Sequence, residues 1–312
     1  MGNFLVSFNA VGPLFCFLVL GRFLRKRRML DLQTMSRINK ITHYIFLPAL
    51  LFKNIIDCDI SSSMRIDLII IAALSSAISC LLAVGIACVT EKENPRRAAL
   101  AQSMFRNNYV SFGIAIATSV YGTEAAGMVS MLIACIVPLN NIFAVVELTA
   151  FRHEKPDFKK LLREIASNPF VLAAVFGFAF SFLHIKLPQV LYSTLGSISG
   201  MGVPMSMLML GASFTFSGIG NYRRDICVGV ITKLILLPLL FIPLYVLLGI
   251  RKEELLVLLI ALCTPPAASS HVMAGQMGAD STLAGHLIVF GSVASMLTIF
   301  SWLFVLKSMA LL

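Results

Sequence analysis

Long apolar runs, separated by short charged or turn-rich breaks, recur along the whole chain of 312 residues. The hydrocarbon core of a bilayer is about 30 Å thick and takes roughly 20 helical residues per crossing. Ten runs of about that length can be identified, which we call spans 1 to 10. They cover residues 4–24, 38–56, 66–90, 97–120, 125–150, 169–184, 197–217, 225–248, 254–276 and 281–306. The pattern predicts an all-α membrane protein with ten transmembrane helices.

The composition agrees with a membrane protein and gives no sign of an enzyme. Apolar residues make up 58% of the chain, charged residues 13%, and the mean hydropathy is +0.89, which excludes an ordinary soluble domain. The seven cysteines form no CxxC pair, and the five histidines form no metal-binding spacing. Walker-type, GxSxG and DDxxD-like patterns are also absent from the sequence. The sequence therefore predicts no catalytic site, cofactor, metal site or ATP-driven pump.

The basic residues predict the orientation of the chain in the membrane. None precedes span 1, whereas Arg22, Arg25, Lys26, Arg27 and Arg28 follow it. A cleaved signal peptide has the opposite polarity, so span 1 is expected to remain as a helix that starts outside. With alternating loops, most of the 25 basic residues then face inward, which predicts both termini outside the plasma (inner) membrane. The net charge of +10 faces anionic lipid and requires no nucleic acid.

Span 9 is interrupted by adjacent prolines, Pro265 and Pro266, followed by Ser269, Ser270 and His271. A proline pair removes two backbone donors and clashes with the preceding turn, so the helix should break and leave carbonyl groups unpaired. A polar cavity or a bound solute can pair them, and secondary transporters build substrate sites from such broken helices. The alternative is a proline kink that neighbouring helices tolerate.

Polar residues also interrupt spans 4 and 5. Asn107, Asn108 and Ser111 lie on one side of span 4, and Asn140 and Asn141 lie in span 5. Neutral amides donate hydrogen bonds without carrying a charge, which suits them to holding a carboxylate or an ordered water. The alternative is that they bond neighbouring helices to one another. We predict all five as substrate-binding residues, together with the two prolines, two serines and histidine of span 9.

The candidate charge partners of a substrate, which all lie inside predicted spans, are Arg106, Lys233 and Glu147. A charge at membrane depth is costly unless it lines a cavity or pairs. Arg106 and Lys233 either offset the charge of an anion or extend their heads to the interface. Glu147 either acts at the site or pairs with Arg152. Histidine is the side chain that ordinarily changes charge near physiological pH, so His271 is a candidate for proton coupling, or it is a hydrogen-bond partner.

The longest inner connection, residues 151–168, divides the chain into residues 1–150 and 169–312, each with five spans. Because five is odd, the second half enters the membrane in the opposite direction, and any repeat must be inverted. Apolar residues at i, i+3, i+4 and i+7 from Phe158 predict an amphipathic helix in the inner headgroup layer. A solvated basic linker is the alternative.

Four short motifs, taken in order and spacing, carry a family resemblance. They are Phe46-Leu47-Pro48-Ala49-Leu50, Arg106-Asn107-Asn108 leading to Gly113-Ile114, Val203-Pro204-Met205, and Pro265-Pro266-Ala267 through Met273-Ala274. Over essentially its whole length the chain resembles the auxin efflux carrier family of prokaryotic permeases. These are relatives of plant auxin exporters and, more distantly, of bile acid/sodium symporters.

The resemblance implies two inverted five-helix repeats in which spans 4 and 9 are broken and cross. Spans 3–5 and 8–10 would form a mobile transport domain, and spans 1, 2, 6 and 7 a scaffold that often dimerises, so a homodimer is expected. The crossing would place Asn107, Asn108 and Ser111 of span 4 opposite four residues of span 9. These are Pro266, Ser269, Ser270 and His271. The chain departs from the family at Ala115, where span 4 usually has a proline.

These observations predict a secondary transporter of elevator type for small organic anions, such as dicarboxylates or other weak acids. A coupling ion, either a proton or sodium, is left open. The alternative is a non-transporting membrane sensor or receptor with the same fold. A channel would need a continuous polar lining over several helices, whereas the polar residues cluster at mid-depth. The expected partners are the anion, membrane lipid and a second copy of the chain.

Overall fold

The computed structural model describes residues 2–57, 65–152, 163, 166–167, 169–213, 219–267 and 269–312, and within these ranges it contains helices and no strand. The α-helices are α1 Gly2–Lys26, α2 Leu32–Ile41, α3 Leu47–Asp57, α4 Ile66–Thr90, α5 Asn94–Phe105, α6 Ile114–Phe151, α7 Pro169–Phe182, α8 Gln189–Gly200, α9 Gly202–Ala212, α10 Arg223–Ile231, α11 Leu237–Leu247, α12 Lys252–Cys263, α13 Ser269–Gln276 and α14 Ser281–Ser308. The apolar positions that predicted a linker helix, which start at Phe158, lie outside the described residues.

Short irregular helical turns join several of these helices. Thr42–Phe46, Tyr109–Gly113 and Thr232–Leu236 are π-helical, and Ile219–Tyr222 is a 3₁₀ turn. In addition, α6 contains two helices that meet at Gly122, whose φ of 76° requires a glycine-like backbone. The boundary that the sequence predicts between spans 4 and 5 therefore lies at this glycine.

Five helical stretches of the described chain are long and apolar enough to cross a membrane, which makes the protein an integral membrane protein. They are Ile66–Thr90, Ile114–Phe151, Gln189–Ala212, Ile219–Leu247 and Ser281–Ser308. The third starts at Gln189, earlier than the predicted start of span 7 at residue 197. The hydroxyl groups of Thr194 and Ser197 donate to helix carbonyls one turn earlier, so these polar residues fit inside the longer helical stretch.

The helices form two compact units. The first unit comprises residues 1–65, 110–134 and 164–215. In it, α1 and α9 approach closely, because a Cβ atom at Gly21 would lie 1.9 Å from the Leu208 carbonyl oxygen. A Cβ atom at Gly211 would likewise lie 2.0 Å from the Leu18 carbonyl oxygen. Small residues permit such backbone contact between membrane helices.

The second unit comprises residues 66–109, 135–163 and 216–312. Its apolar core is shared by α4, α5, α10 and α14, and includes the buried side chains of Leu100, Ile226 and Leu287. Gly229 lets α10 approach this core, since a Cβ atom there would lie 2.5 Å from a methyl group of Leu287. The same unit contains both breaks that the sequence predicts, so other helices of this unit surround them.

Candidate functional site

Both predicted breaks are present in the second unit. Helix α5 ends at Phe105, and residues 106–108 are not helical before the π turn Tyr109–Gly113. Helix α12 ends at Cys263, and residues 264–267 are not helical before α13. Arg106 (φ −73°, ψ 142°) and Thr264 (φ −69°, ψ 147°) both adopt extended backbone conformations.

The two breaks have different local causes. Thr264 precedes Pro265, and the residue before a proline is pushed out of the α region. The first break contains no proline, and Ala115, where the family usually has one, lies in the first turn of α6. Instead, asparagine side chains compete with helical hydrogen bonds for backbone groups, and the Asn107 amide donates to the Phe105 carbonyl at 3.1 Å. The first helix therefore breaks about two turns before the position of the missing proline.

A backbone hydrogen bond joins the two breaks. The Asn108 N–H donates to the Pro265 carbonyl at 2.7 Å. This bond pairs a donor and an acceptor that interruption of the helices deprives of helical partners. The Asn108 side chain is not required for this bond, and it is half-buried.

Arg106 connects the first break to α6 and α13. It is 4% exposed, and its Nη2 donates to Asn141 Oδ1 at 2.8 Å and to Ser269 Oγ at 3.0 Å. Its Nη1 donates to Ser270 Oγ at 3.2 Å and contacts Met273 Sδ at 3.3 Å. The guanidinium is therefore enclosed by residues of the second unit. Its hydrogen-bond acceptors are all neutral.

Lys233 lies in the π turn between α10 and α11 and is 1% exposed. Its Nζ donates to Asn107 Oδ1, and lies 3.4 Å from the Phe105 carbonyl oxygen. The Asn107 side chain therefore bonds to Lys233 of the turn before α11. The extra residue of a π turn reorients nearby side chains, and such turns are frequent at functional sites.

A small cavity lies beside Lys233. Its polar lining comes from Ser75, Ser76, Ser79, Asn107, Lys233 and Tyr245. The Tyr245 hydroxyl donates to Ser75 Oγ at 2.6 Å, and the Ser76 hydroxyl donates to Asn140 Oδ1. The space open to the centre of a water-sized sphere is about 10 Å³, which is room for about one water molecule. This conformation is therefore closed to an organic anion at that point.

The structure thus gathers some of the predicted residues and separates others. Arg106, Asn141, Ser269 and Ser270 form one hydrogen-bonded cluster, which we call the Arg106 cluster. His271 follows Ser270 in α13, and its side chain is exposed, with Nδ1 2.8 Å from the Ser281 carbonyl oxygen. The side chain of Ser111 lies outside the described residues. Pro265 and Pro266 are buried at the second break.

Glu147 is buried on α6 and 4% exposed. Arg106 interacts with it electrostatically, and neither of its carboxylate oxygens accepts a hydrogen bond from the described residues.

Sequence reasoning missed several polar residues of this region. The Gln102 amide donates to the Ser270 carbonyl at 3.3 Å, and Gln102 lies in the last turn of α5, four residues before Arg106. Ser75, Ser76 and Ser79 form a hydroxyl-bearing stripe on α4 that faces the cavity. Helical spacing was the available signal in both cases. Within the described ranges, no three His, Cys, Asp or Glu side chains come together as metal ligands.

Comparison with known proteins gives one family match. A family model described as membrane transport protein matches residues 6–303, which is nearly the whole chain. A search among curated proteins found no match.

Proposed function

Because the chain belongs to the auxin efflux carrier family of membrane transport proteins, we propose that it is a secondary carrier of small organic anions, such as dicarboxylates or other weak acids. Family membership establishes a membrane transporter. Beyond family membership, we propose the class of anion, the carrier mechanism and the orientation in the plasma membrane.

The observation that carries this proposal is the excess of buried positive charge at the two breaks. Arg106 and Lys233 are both buried there, and they donate hydrogen bonds to neutral oxygen and sulfur atoms. Glu147 is the carboxylate that interacts with Arg106. A buried charge is costly unless it is compensated. A carboxylate that enters the site supplies the missing negative charge, whereas a cationic substrate would add to the cost.

In the proposed binding step, the carboxylate of the anion replaces the Ser269 and Ser270 hydroxyl groups as the acceptor of the Arg106 guanidinium. A charged acceptor makes hydrogen bonds about twice as strong as a neutral one. The Asn108 side-chain amide, which the backbone bond to Pro265 leaves available, donates to the same carboxylate or to the second one of a dicarboxylate. The hydroxyl groups of α13 then turn to solvent or to the anion.

Transport requires the site to open to each side of the membrane in turn. We attribute this to an elevator movement of spans 3–5 and 8–10 against spans 1, 2, 6 and 7, within two inverted five-helix repeats and a homodimer. Family resemblance and the two broken helices support this scheme. The cavity beside Lys233, which has room for about one water, fits a closed stage of such a cycle.

The proposal is tested by anion flux into proteoliposomes with radiolabelled malate, succinate and indole-3-acetate as probes. The wild-type protein should transport at least one of them faster than empty liposomes do. Asn108→Ala removes a hydrogen bond to a charged group and should lower the initial rate by about tenfold or more. The fold should survive, because the bond to Pro265 uses the backbone of Asn108.

Asn221→Ala is the matched control, since Asn221 is exposed in the turn before α10, and it should transport at the wild-type rate. A wild-type rate in Asn108→Ala would remove the assigned site. Absence of flux for every probe with correctly folded protein would contradict the carrier and favour the sensor alternative.

A further inference from the structure

Glu147 carries a buried carboxyl group for which the substrate site has no evident use. The residue is 4% exposed and lies in the part of α6 that belongs to the second unit. Among the described residues, neither Oε1 nor Oε2 accepts a hydrogen bond. Buried carboxylates are normally hydrogen-bonded or paired, so a group left in this state indicates an unmet requirement for a proton or a donor.

Two groups outside α6 interact electrostatically with Glu147. They are the Arg106 guanidinium from the first break and the Cys80 thiol from α4. A neutral thiol cannot offset the negative charge of Glu147, so among the described residues the compensating cation is Arg106. The hydrogen bonds of Arg106 go to Asn141, Ser269 and Ser270, which leaves the attraction to Glu147 as a through-space effect rather than a closed ion pair.

Lys233 bonds to Asn107 rather than to the Arg106 cluster, so a carboxylate that arrives at this cluster shares the charge of Arg106 with Glu147. A single positive charge cannot offset two carboxylates in a buried site, and a second carboxylate close by favours the protonated form of one of them. An anion that bonds to Arg106 therefore raises the tendency of Glu147 to bind a proton. By thermodynamic linkage, a proton on Glu147 raises the affinity of the site for the anion by the same factor.

We propose that Glu147 binds the coupling proton of this carrier, so that one proton is taken up when an organic anion binds at the Arg106 cluster. The proton bonds to a carboxylate oxygen of Glu147 and neutralises it while Arg106 holds the carboxylate of the anion. When the anion leaves, Arg106 again compensates Glu147 and the proton dissociates. Anion and proton then cross the membrane together. This inference rests on the proposed function and assigns its coupling ion and the residue that binds it.

The test measures protons taken up per anion bound. Purified protein in weakly buffered solution is titrated with malate, and a pH indicator dye reports proton uptake while radiolabelled malate reports binding. The wild-type protein should take up about one proton per malate. Glu147→Gln cannot bind this proton, and its uptake per bound malate should fall to about zero. Glu124→Gln changes an exposed glutamate elsewhere on α6 and should keep the wild-type ratio.

A second measurement needs no variant. Because binding takes up a proton, raising the pH should weaken the affinity for malate. Between about pH 6.5 and 8, where malate is already ionised, the dissociation constant of the wild-type protein should rise by up to about tenfold per pH unit. Replacing sodium by choline should leave it unchanged.

The two proposals fail in different ways. Malate bound without proton uptake, with an affinity independent of pH or dependent on sodium, would overturn the role of Glu147 and leave the anion carrier intact. Equal proton uptake in the wild-type protein and Glu147→Gln would also overturn it. If malate, succinate and indole-3-acetate all fail to bind folded wild-type protein, the anion carrier itself fails, and the coupling role fails with it.

Discussion

The hydroxyl group of Tyr109 donates to the Val257 carbonyl at 3.0 Å, and the side chain is 2% exposed. Tyr109 directly follows the first break, and Val257 lies in α12, which leads into the second. This bond therefore ties the two broken helices together at a second point, besides the one between Asn108 and Pro265.

Tyr109→Phe should destabilise the protein slightly while preserving its shape. The loss of one neutral hydrogen bond costs about 1 kcal/mol and should lower the thermal unfolding temperature by about 2 °C, measured by scanning fluorimetry in detergent. Tyr44→Phe is the control, because Tyr44 is 63% exposed, and it should unfold at the wild-type temperature. An equal decrease in both variants would contradict the role of the Tyr109 bond.

At the residue scale, the sequence predicts which groups lie at membrane depth but not which of them meet. Pro265 and Pro266 predict a break by local chemistry alone, and the break is present. Arg106 and Asn141 both stand out in apolar runs, and they bond to each other. The bond between Lys233 and Asn107 was not predictable, because it depends on the π turn Thr232–Leu236 that sets the direction of the lysine.

At the element scale, Gly291 sets how closely α14 approaches the second break. A Cβ atom at this position would lie 2.7 Å from Cδ of Pro266, closer than real Cβ atoms approach a neighbour. The proline ring is fixed to the backbone and cannot rotate away. Any side chain at residue 291 must therefore displace either α14 or the proline break.

Gly291→Ala should lower both anion flux and the unfolding temperature, even though alanine favours a helix over glycine by about 1 kcal/mol. Gly85→Ala in α4 is the matched control, because a Cβ atom there meets no atom within 4 Å, and it should be as stable as the wild type or more so. The account of the second break would be contradicted if Gly291→Ala matched Gly85→Ala in both flux and stability.

Helix positions were more predictable from the sequence than helix interruptions without proline. Helix α4 has the predicted bounds of span 3, residues 66–90, because its apolar run is flanked by charged residues on both sides. The break after Phe105 has no proline, and its position follows from bonds of Asn107 and Arg106 that depend on other helices. The family resemblance placed the break of span 4 near residue 115, where the family usually has a proline. In this chain Ala115 lies within α6.

At the scale of the whole molecule, neither compact unit is a continuous half of the chain, because each takes segments from before and after residues 151–168. The apolar runs do not reveal this grouping. Lipid tails are as apolar as the side chains of a neighbouring helix, so hydropathy does not distinguish a face that packs on protein from one that faces lipid. The resemblance to a family was the source of the expectation of scaffold and transport spans.

The orientation with ten spans and both termini outside is a prediction that cysteine labelling can test. Lys92, between α4 and α5, should face inward, and Lys186, between α7 and α8, should face outward; both side chains are exposed. In a cysteine-free background and intact cells, an impermeant maleimide should label Lys186→Cys directly and Lys92→Cys only after the membrane is permeabilised. Labelling of both from outside, or the reverse pattern, would contradict the assigned orientation.

The central claim is that the two joined breaks hold the carboxylate of a transported anion. Its most direct test is a cryo-electron microscopy structure of the protein in nanodiscs with saturating malate, compared with a malate-free sample. The account predicts added density within hydrogen-bond distance of the Arg106 guanidinium and the Asn108 side chain, in a site wider than the cavity with room for one water. Malate density at another place, with the Arg106 cluster unchanged, would contradict it.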